Sequence, residues 1–306
     1  MEERMRRELS RIVAHPVQWD CSLAGYTSFA IGGPAEALVI VDRREELAAL
    51  LGFLESGRIP WRVIGKGTNL LVRDEGFPGA VLLLGQDFKQ VTFVPDGEGR
   101  WCARVGAGCS LAKLVSLCGV KGLSGLEFAV GIPGTVGGAA VMNAGAWGGD
   151  MASVIRSVTM IAPAGEEVLD RADLHFGYRC WQDFNRFAGR AVVAECELEL
   201  AEDDPQEIRR RCAAFQQKRQ CSQPRGQGNA GSFFRNPAHD SAGRLIEASG
   251  LKGMAVGGAM VSEKHANFLV NAGGATAADV LALMQLIQDK VRQDSGVELE
   301  PEVHFL

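Results

Sequence analysis

Residues 125–149 read GLEFAVGIPGTVGGAAVMNAGAWGG, with eight glycines, one proline and a single charged side chain, Glu127. A segment without Lys or Arg can hold an anion only through main-chain N–H groups, which glycine, lacking Cβ, lets approach closely. The chemistry such a run suits is the cradling of a phosphate or a flat ring by backbone alone. One glycine would mark a tight turn beneath a core; eight in one run point to a ligand. A membrane span is excluded, because Pro133 and the glycines interrupt a stretch barely long enough to cross. Two shorter runs accompany it: Gly65-Lys66-Gly67-Thr68-Asn69 and Gly106-Ala107-Gly108-Cys109-Ser110.

Neither short run meets the dinucleotide fingerprint of the Rossmann fold, which needs a helix directly after its glycines. Leu70-Leu71-Val72, a short apolar strand, follows the first, so any phosphate there is bound without a helix dipole. In the second, Leu111 stands where the third glycine belongs.

The elements that must position these loops alternate quickly. ALVIV, a helix opened by Asp42 and closed near Gly57, then WRVIG, LLVRD and AVLLL form an α/β unit. A second unit starts with VTFV and WCARV and continues into a short helix capped by Ser110 and ending at Gly119. After the long glycine run come VIRSVTMI and AVVAECELEL, the latter alternating Cys196, Leu198 and Leu200 with Glu195, Glu197 and Glu199, as a strand with one solvated face does. Asp204-Pro205 opens a helix with Ile208, Cys212 and Phe215 on one side, and a domain boundary is expected just before it. A helix from Gly243 to Ser249, two short strands within MAVGGAMVSEKHANFLVN, and a helix from Thr276 to Ser295 follow. VELEPEVHFL alternates as a terminal strand. The expected division is residues 1–88, 89–203 and 204–296, with 297–306 returning to the first part.

With 306 residues, 46% hydrophobic and 23% charged, the chain suits a globular protein of two or three domains. A net charge of −5 gives no general attraction to nucleic acid or anionic membranes. The N-terminal MEERMRRELSRIVAHP is charged throughout and reads as neither secretory signal nor anchor, so a cytoplasmic location is expected. Eight cysteines without a CxxC pair read mostly as buried small hydrophobes, and the five scattered histidines suggest no metal site.

YTSFAIGGPAEALV, VIGKGTNLLVRDEGFPGAV, the long glycine run, FGYR, GNAGSFFRNP, LIEASGLKG, VGGAMVSEKHANFLVN and LEPEV occur in this order from about Gly25 to the C-terminus. That ordered set resembles the UDP-N-acetylenolpyruvoylglucosamine reductases, the MurB enzymes of bacterial cell-wall synthesis. The resemblance implies an α+β fold in which two subdomains of the vanillyl-alcohol-oxidase (PCMH) type sandwich a noncovalent FAD, and a third α+β domain binds substrate. It implies reduction of UDP-N-acetylglucosamine enolpyruvate to UDP-N-acetylmuramate by NADPH, in peptidoglycan precursor synthesis; a monomer is expected.

The cofactor-binding positions so implied are Gly65, Lys66, Gly67, Thr68, Asn69, Leu70, Gly108, Gly131, Ile132, Pro133, Gly134, Thr135, Gly137, Gly138, Asn143 and Gly145. Hydride addition to the terminal enolpyruvyl carbon leaves negative charge beside a carboxylate, so the site needs an enolate stabiliser and a proton donor. Arg179 in FGYR matches the family's stabilising arginine, whose planar guanidinium pairs with a carboxylate through two parallel bonds. Glu302 in PEV matches the family's acid near the substrate carboxylate, and Ser232 in GNAGSFFRNP its proton donor. Tyr178 lies where nicotinamide or substrate stacks. Asn236, Lys252, His265 and Asn267 fall in motifs around the UDP-sugar.

Three departures stand out. Cys180-Trp181 follows the FGYR arginine where a serine two positions on is frequent. His304 stands where an arginine commonly follows PEV, and Arg235 replaces the more usual lysine. These put the phosphate and carboxylate contacts in doubt. With no tyrosine beyond Tyr178 the chain resembles the shorter class of the family. Two alternatives compete: an oxidase tethering its flavin covalently, for which Cys109 is the one thiol in a glycine loop, and a nucleotide-sugar binder without redox function.

Overall fold

The computed structural model describes residues 1–306, which divide into two compact units. The first holds residues 1–19, 36–65 and 79–218; the second holds 20–35, 66–78 and 219–306.

In the first unit, helices α1 (Glu3–Ile12) and α2 (Arg44–Ser56) cover a sheet that includes Pro34–Val41, Phe77–Leu84 and Trp61–Val63. Trp61–Val63 runs parallel to Phe77–Leu84. Leu47, Leu50, Leu51 and Leu54 of α2 are fully buried at helical spacing. Arg43, not Asp42, is the N-cap of α2. The Asp42 carboxylate turns away to accept the Gln86 amide at 2.9 Å and contacts His15 at 2.8 Å.

A six-stranded antiparallel sheet builds the rest of this unit, in the order Gly165–Asp170, Ile155–Ala162, Val192–Glu202, Arg100–Gly106, Val91–Pro95, with Leu123–Ser124 beside Val192–Glu202. Cys196, Leu198 and Leu200 face its core, as the alternation requires. Helix α3 (Leu111–Lys121) runs past Gly119 and stops at Gly122, whose φ of +71° supplies the left-handed cap. Ser110 takes the N-cap position without a side-chain capping bond, and its backbone is bridged to Thr135. Helix α4 (Val136–Val141) starts at Thr135, and α5 (Pro205–Ser222) buries Ile208 while leaving Cys212 and Phe215 half-buried.

The second unit packs α6 (Ala242–Ala248) and α7 (Ala277–Ser295) on a four-stranded sheet ordered Gly228–Asn229, Leu269–Asn271, Ala259–Val261, Ala255–Val256. The segment read as two strands contains three, because Leu269–Asn271 pairs with Ala259–Val261. Val280, Leu283, Ile287 and Val291 form the buried stripe of α7. Thr276 and Asp279 close a capping box at its start, and Gly296, at φ +72°, ends it. Of the terminal segment, His304–Phe305 forms strand, parallel to Leu70–Leu71. All eight cysteines are free, four of them buried. No helix is long and apolar enough to cross a membrane.

Candidate functional site

In the first unit the long glycine run commits its one charged side chain to the protein. Glu127 accepts the Gly125 amide at 2.8 Å and an Arg211 guanidinium N–H at 2.6 Å, and Asp203 takes a second bond from Arg211 at 2.5 Å. These two carboxylates raise the Arg211 pKa, the bond to Glu127 first. Glu127 therefore ties the run to α5, and any ligand along residues 130–138 meets backbone.

Around that backbone the three glycine runs come together. A Cβ on Gly65 would stand 2.4 Å from the Thr135 hydroxyl oxygen, closer than side chains approach. Leu111 donates to the Gly134 carbonyl at 3.1 Å and Val136 to the Cys109 carbonyl at 2.9 Å, which pairs the 106–110 loop with the long run. Gly137 donates to the Ala107 carbonyl at 2.8 Å, and a Cβ on it would lie 2.7 Å from that of Ala107. Gly131, at φ +73°, and Gly134, at +132°, adopt backbone that other residues resist. Gly131, Pro133 and Gly138 are exposed, while Gly108, Ile132, Gly134 and Thr135 are half-buried. The outcome is a surface built largely of main chain. That fits the flat rings and diphosphate of a dinucleotide such as FAD, whose negative charge amide donors can balance.

Nearby strands make a tight hairpin. Phe176–Gly177 pairs with Cys180–Trp181, leaving Tyr178 and Arg179 as the two-residue tip. Arg179 has φ +57°. The second tip position of a type II turn demands such a φ and normally carries glycine, and an arginine there costs roughly 1–2 kcal/mol. Its Nη2 donates to the Gly145 carbonyl at 2.7 Å, and the guanidinium sits 5.1 Å from the Tyr178 ring centre. Tyr178 is 52% exposed. Trp181 anchors the hairpin from below, buried among Phe176, Phe184 and Phe187, so the departure at Cys180-Trp181 supplies an apolar wall.

Asn143, expected at the cofactor, is buried and spends its amide inside the protein. It donates to the Gly177 carbonyl at 3.0 Å and to Asp150 at 3.1 Å, and accepts the Ala152 amide at 2.8 Å. It braces the Arg179 hairpin against the turn that carries Gly145.

In the second unit Ser232 and Glu302 lie on paired backbone. Glu302 donates its amide to the Phe233 carbonyl at 2.8 Å, Phe234 bridges Pro301, and Arg235 donates to the Glu300 carbonyl at 2.8 Å. Phe233 and Phe234 are 0% and 1% exposed, and losing either ring would cost about 3–5 kcal/mol, so the serine sits on a stiff ribbon. Asn267, also buried, grips that ribbon as a peptide would, accepting the Phe234 amide at 2.9 Å and donating to its carbonyl at 2.8 Å. Its side chain thereby fixes the backbone two residues beyond Ser232.

The 66–70 loop joins the same place. Asn69 donates to the Glu302 carbonyl at 3.1 Å, and Leu70 pairs with His304. Gly67 packs so closely that a Cβ would meet the Tyr26 carbonyl at 2.2 Å, while Lys66 is exposed and Thr68 half-buried. The remaining expected residues gather about α6. Asn236 accepts the Ala242 amide at 3.0 Å, Lys252 pairs with Glu247 at 2.7 Å, and His265 lies against Gly243. Burial first, then the Lys252 charge, pushes the His265 pKa down. Because Nδ1 takes the Asn267 amide at 3.2 Å, the neutral ring carries its proton on Nε2.

Two family models match this chain: the C-terminal domain of UDP-N-acetylenolpyruvoylglucosamine reductase over residues 223–306, and an FAD binding domain over residues 35–169. The reductase of that name from Desulfosudis oleivorans is 41% identical over 99% of this chain and 98% of its own length. UDP-N-acetylenolpyruvoylglucosamine reductase 2 of Symbiobacterium thermophilum is 47% identical over 92% of this chain and 89% of its own. The chain belongs to the UDP-N-acetylenolpyruvoylglucosamine reductase family. The crystal structure of the reductase (MurB) from Thermus caldophilus overlays with a TM-score of 0.78 at 38% identity, covering 95% of this chain and 98% of the other. The FAD-binding, vanillyl-alcohol-oxidase-like fold with a C-terminal domain is thus shown.

Two features of this UDP-N-acetylenolpyruvoylglucosamine reductase structure went unread in the sequence. Ser28 receives no role from its motif, yet its hydroxyl donates to the Asn229 carbonyl at 2.7 Å and its amide to the Gly67 carbonyl at 3.1 Å, linking the 66–70 loop to the Ser232 turn. Trp147, 40% exposed, stacks on Phe215 at 5.8 Å with Lys218 over both rings. An aromatic residue inside a glycine turn was the signal. Cys109 is 1% exposed, which disfavours tethering a flavin through its thiol.

Proposed function

We propose that this chain reduces UDP-N-acetylglucosamine enolpyruvate to UDP-N-acetylmuramate with NADPH, as a cytoplasmic monomer, and that residues 1–88 and 89–203 seat the cofactor while 204–296 bind substrate. FAD, when bound, supplies the hydride relay from NADPH to the substrate double bond. The observation that carries the reading is the bond of the Glu302 amide to the carbonyl of Phe233, next to Ser232, on a backbone that Asn69 ties to the 66–70 loop.

The chain's own residues have three tasks. Arg179 pairs with the substrate carboxylate and holds the negative charge that develops beside it once hydride reaches the terminal carbon. Ser232 gives its hydroxyl proton to the carbon bearing that charge, which completes addition of two hydrogens across the double bond. A hydroxyl is a weak acid in water, so its position on the stiff 232–235 ribbon is what makes the transfer competent. Glu302, whose amide bonds the Phe233 carbonyl, is assigned to polarise a water that returns a proton to Ser232.

The test is the visible spectrum of the purified protein, followed by NADPH consumption with and without the enolpyruvyl substrate. A yellow colour released on denaturation and substrate-dependent NADPH oxidation support the reading. A colourless protein, or oxidation indifferent to substrate, overturns it.

A further inference from the structure

Arg235 and His304 are two of the three positions where this chain departs from its family's pattern, and the fold makes them neighbours. Residues 233–235 pair with 300–302, and Phe305 follows His304 in the strand beside Leu70–Leu71. Although His304 is exposed as a residue, crowding of its ring lowers its pKa, with the Arg235 charge as the second cause. A cation therefore lies next to a ring held in its neutral form.

The guanidinium itself is the unusual element. Its Nε is shielded from solvent and donates to nothing, and the side chain takes part in no ion pair. Glu300, whose carbonyl accepts the Arg235 amide, forms no ion pair with it. A shielded donor on a charged group is costly, and native structures rarely tolerate one without a use. Most of the chain's arginines near carboxylates are paired, as Arg43, Arg44, Arg156, Arg211 and Arg244 are. Arg235 lies three positions after Ser232, on a ribbon that two buried phenylalanines and Asn267 keep rigid.

We infer that Arg235, which has no carboxylate partner in the protein, is an anion-binding residue of this site, taking a phosphate or carboxylate oxygen of a ligand through its terminal guanidinium nitrogens. This rests on the function proposed above. The planar fork suits two oxygens of one group, which the single ammonium of lysine cannot engage in parallel. The anion is the cofactor diphosphate, the substrate diphosphate or the substrate carboxylate.

Binding measurements on Arg235→Met and Arg235→Gln separate these sources. Flavin retention on dilution reads the cofactor. Titration of the holoenzyme with UDP, UDP-N-acetylglucosamine and the enolpyruvyl substrate, followed by flavin absorbance, reads the others. Loss of about ten-fold or more in affinity is expected for one class, the size of a charge-assisted bond. Weakened UDP identifies the diphosphate, weakening of the enolpyruvyl compound alone the carboxylate, and flavin release the cofactor. Arg235→Lys should recover part of the loss. Gln keeps most of the volume and neutral donors, so it reports should the Met variant not fold. If both neutral variants fold and every ligand binds within two-fold of wild type, Arg235 holds no anion. A wild type that binds neither flavin nor substrate would instead sink the proposed function itself.

Discussion

The Asn69 side-chain amide donates to the main-chain carbonyl of Glu302 at 3.1 Å, across 233 residues of sequence. A loop expected to touch the cofactor thus fixes the backbone of the residue expected beside the substrate carboxylate. Asn69→Ala should remove about 1 kcal/mol of stability and slow reoxidation of the reduced enzyme by substrate more than its reduction by NADPH. Stopped-flow absorbance of the two half-reactions checks this; equal slowing would argue that the bond is only structural.

Ser232→Ala should leave flavin reduction by NADPH near wild type and slow the second half-reaction by roughly 10²–10⁴-fold, the usual worth of a positioned proton donor. Single-turnover kinetics decide it. Wild-type oxidation by substrate in this variant would remove Ser232 from the mechanism.

Arg179 occupies backbone that favours glycine, which lets fold and chemistry be separated. Arg179→Gly relieves the left-handed strain, about 1 kcal/mol against a similar loss to chain entropy, so its melting temperature should stay close to wild type. Turnover should fall at least about 10²-fold, as for loss of an oxyanion partner. Arg179→Lys should also turn over poorly, lacking the fork. Comparable turnover in all three proteins would refute the assigned role.

Gly65→Ala tests the backbone cradle. Its methyl would meet Thr135, and overpacking typically costs about 1–3 kcal/mol, which expressed in the cofactor site weakens FAD binding by about five- to a hundred-fold. Flavin fluorescence on dilution measures it. Unchanged retention would place the flavin elsewhere.

His265 and His304 are both held below the usual histidine pKa of 6.5 by burial, aided by Lys252 and Arg235 respectively. The unfolded chain therefore binds more protons than the native one between their folded values and about 6.5. Their contribution to stability is complete above about pH 6.5 and is lost as pH falls below it. Thermal melts at about pH 7.5 and 5.5 should show a lower midpoint in acid, and the His265→Gln, His304→Gln double variant a smaller drop. An identical drop in the variant would assign the acid sensitivity to other groups.

Much of this protein was readable from short-range pattern. The alternation in AVVAECELEL, the stripe and caps of α7, and the strand after the 65–69 loop all depend on neighbours within a few residues, where spacing and cap chemistry decide. The residues proposed as reactive were named from motifs whose order marks a family. Cap identities were read less well. Ser110 is the N-cap of α3 as read, but at α2 the Asp42 carboxylate was drawn to Gln86 and His15 and Arg43 took the cap position.

Tertiary structure decided what each polar side chain is for. Asn143 and Asn267 read as ligand contacts, yet burial commits their amides to Gly177, Asp150, Ala152 and Phe234, because a polar group removed from water must be satisfied by whatever the fold brings to it. The same accounting leaves Arg235 with a shielded donor and no acceptor. Composition and spacing specify which groups a chain owns; only the packing of distant segments specifies which of them are already used.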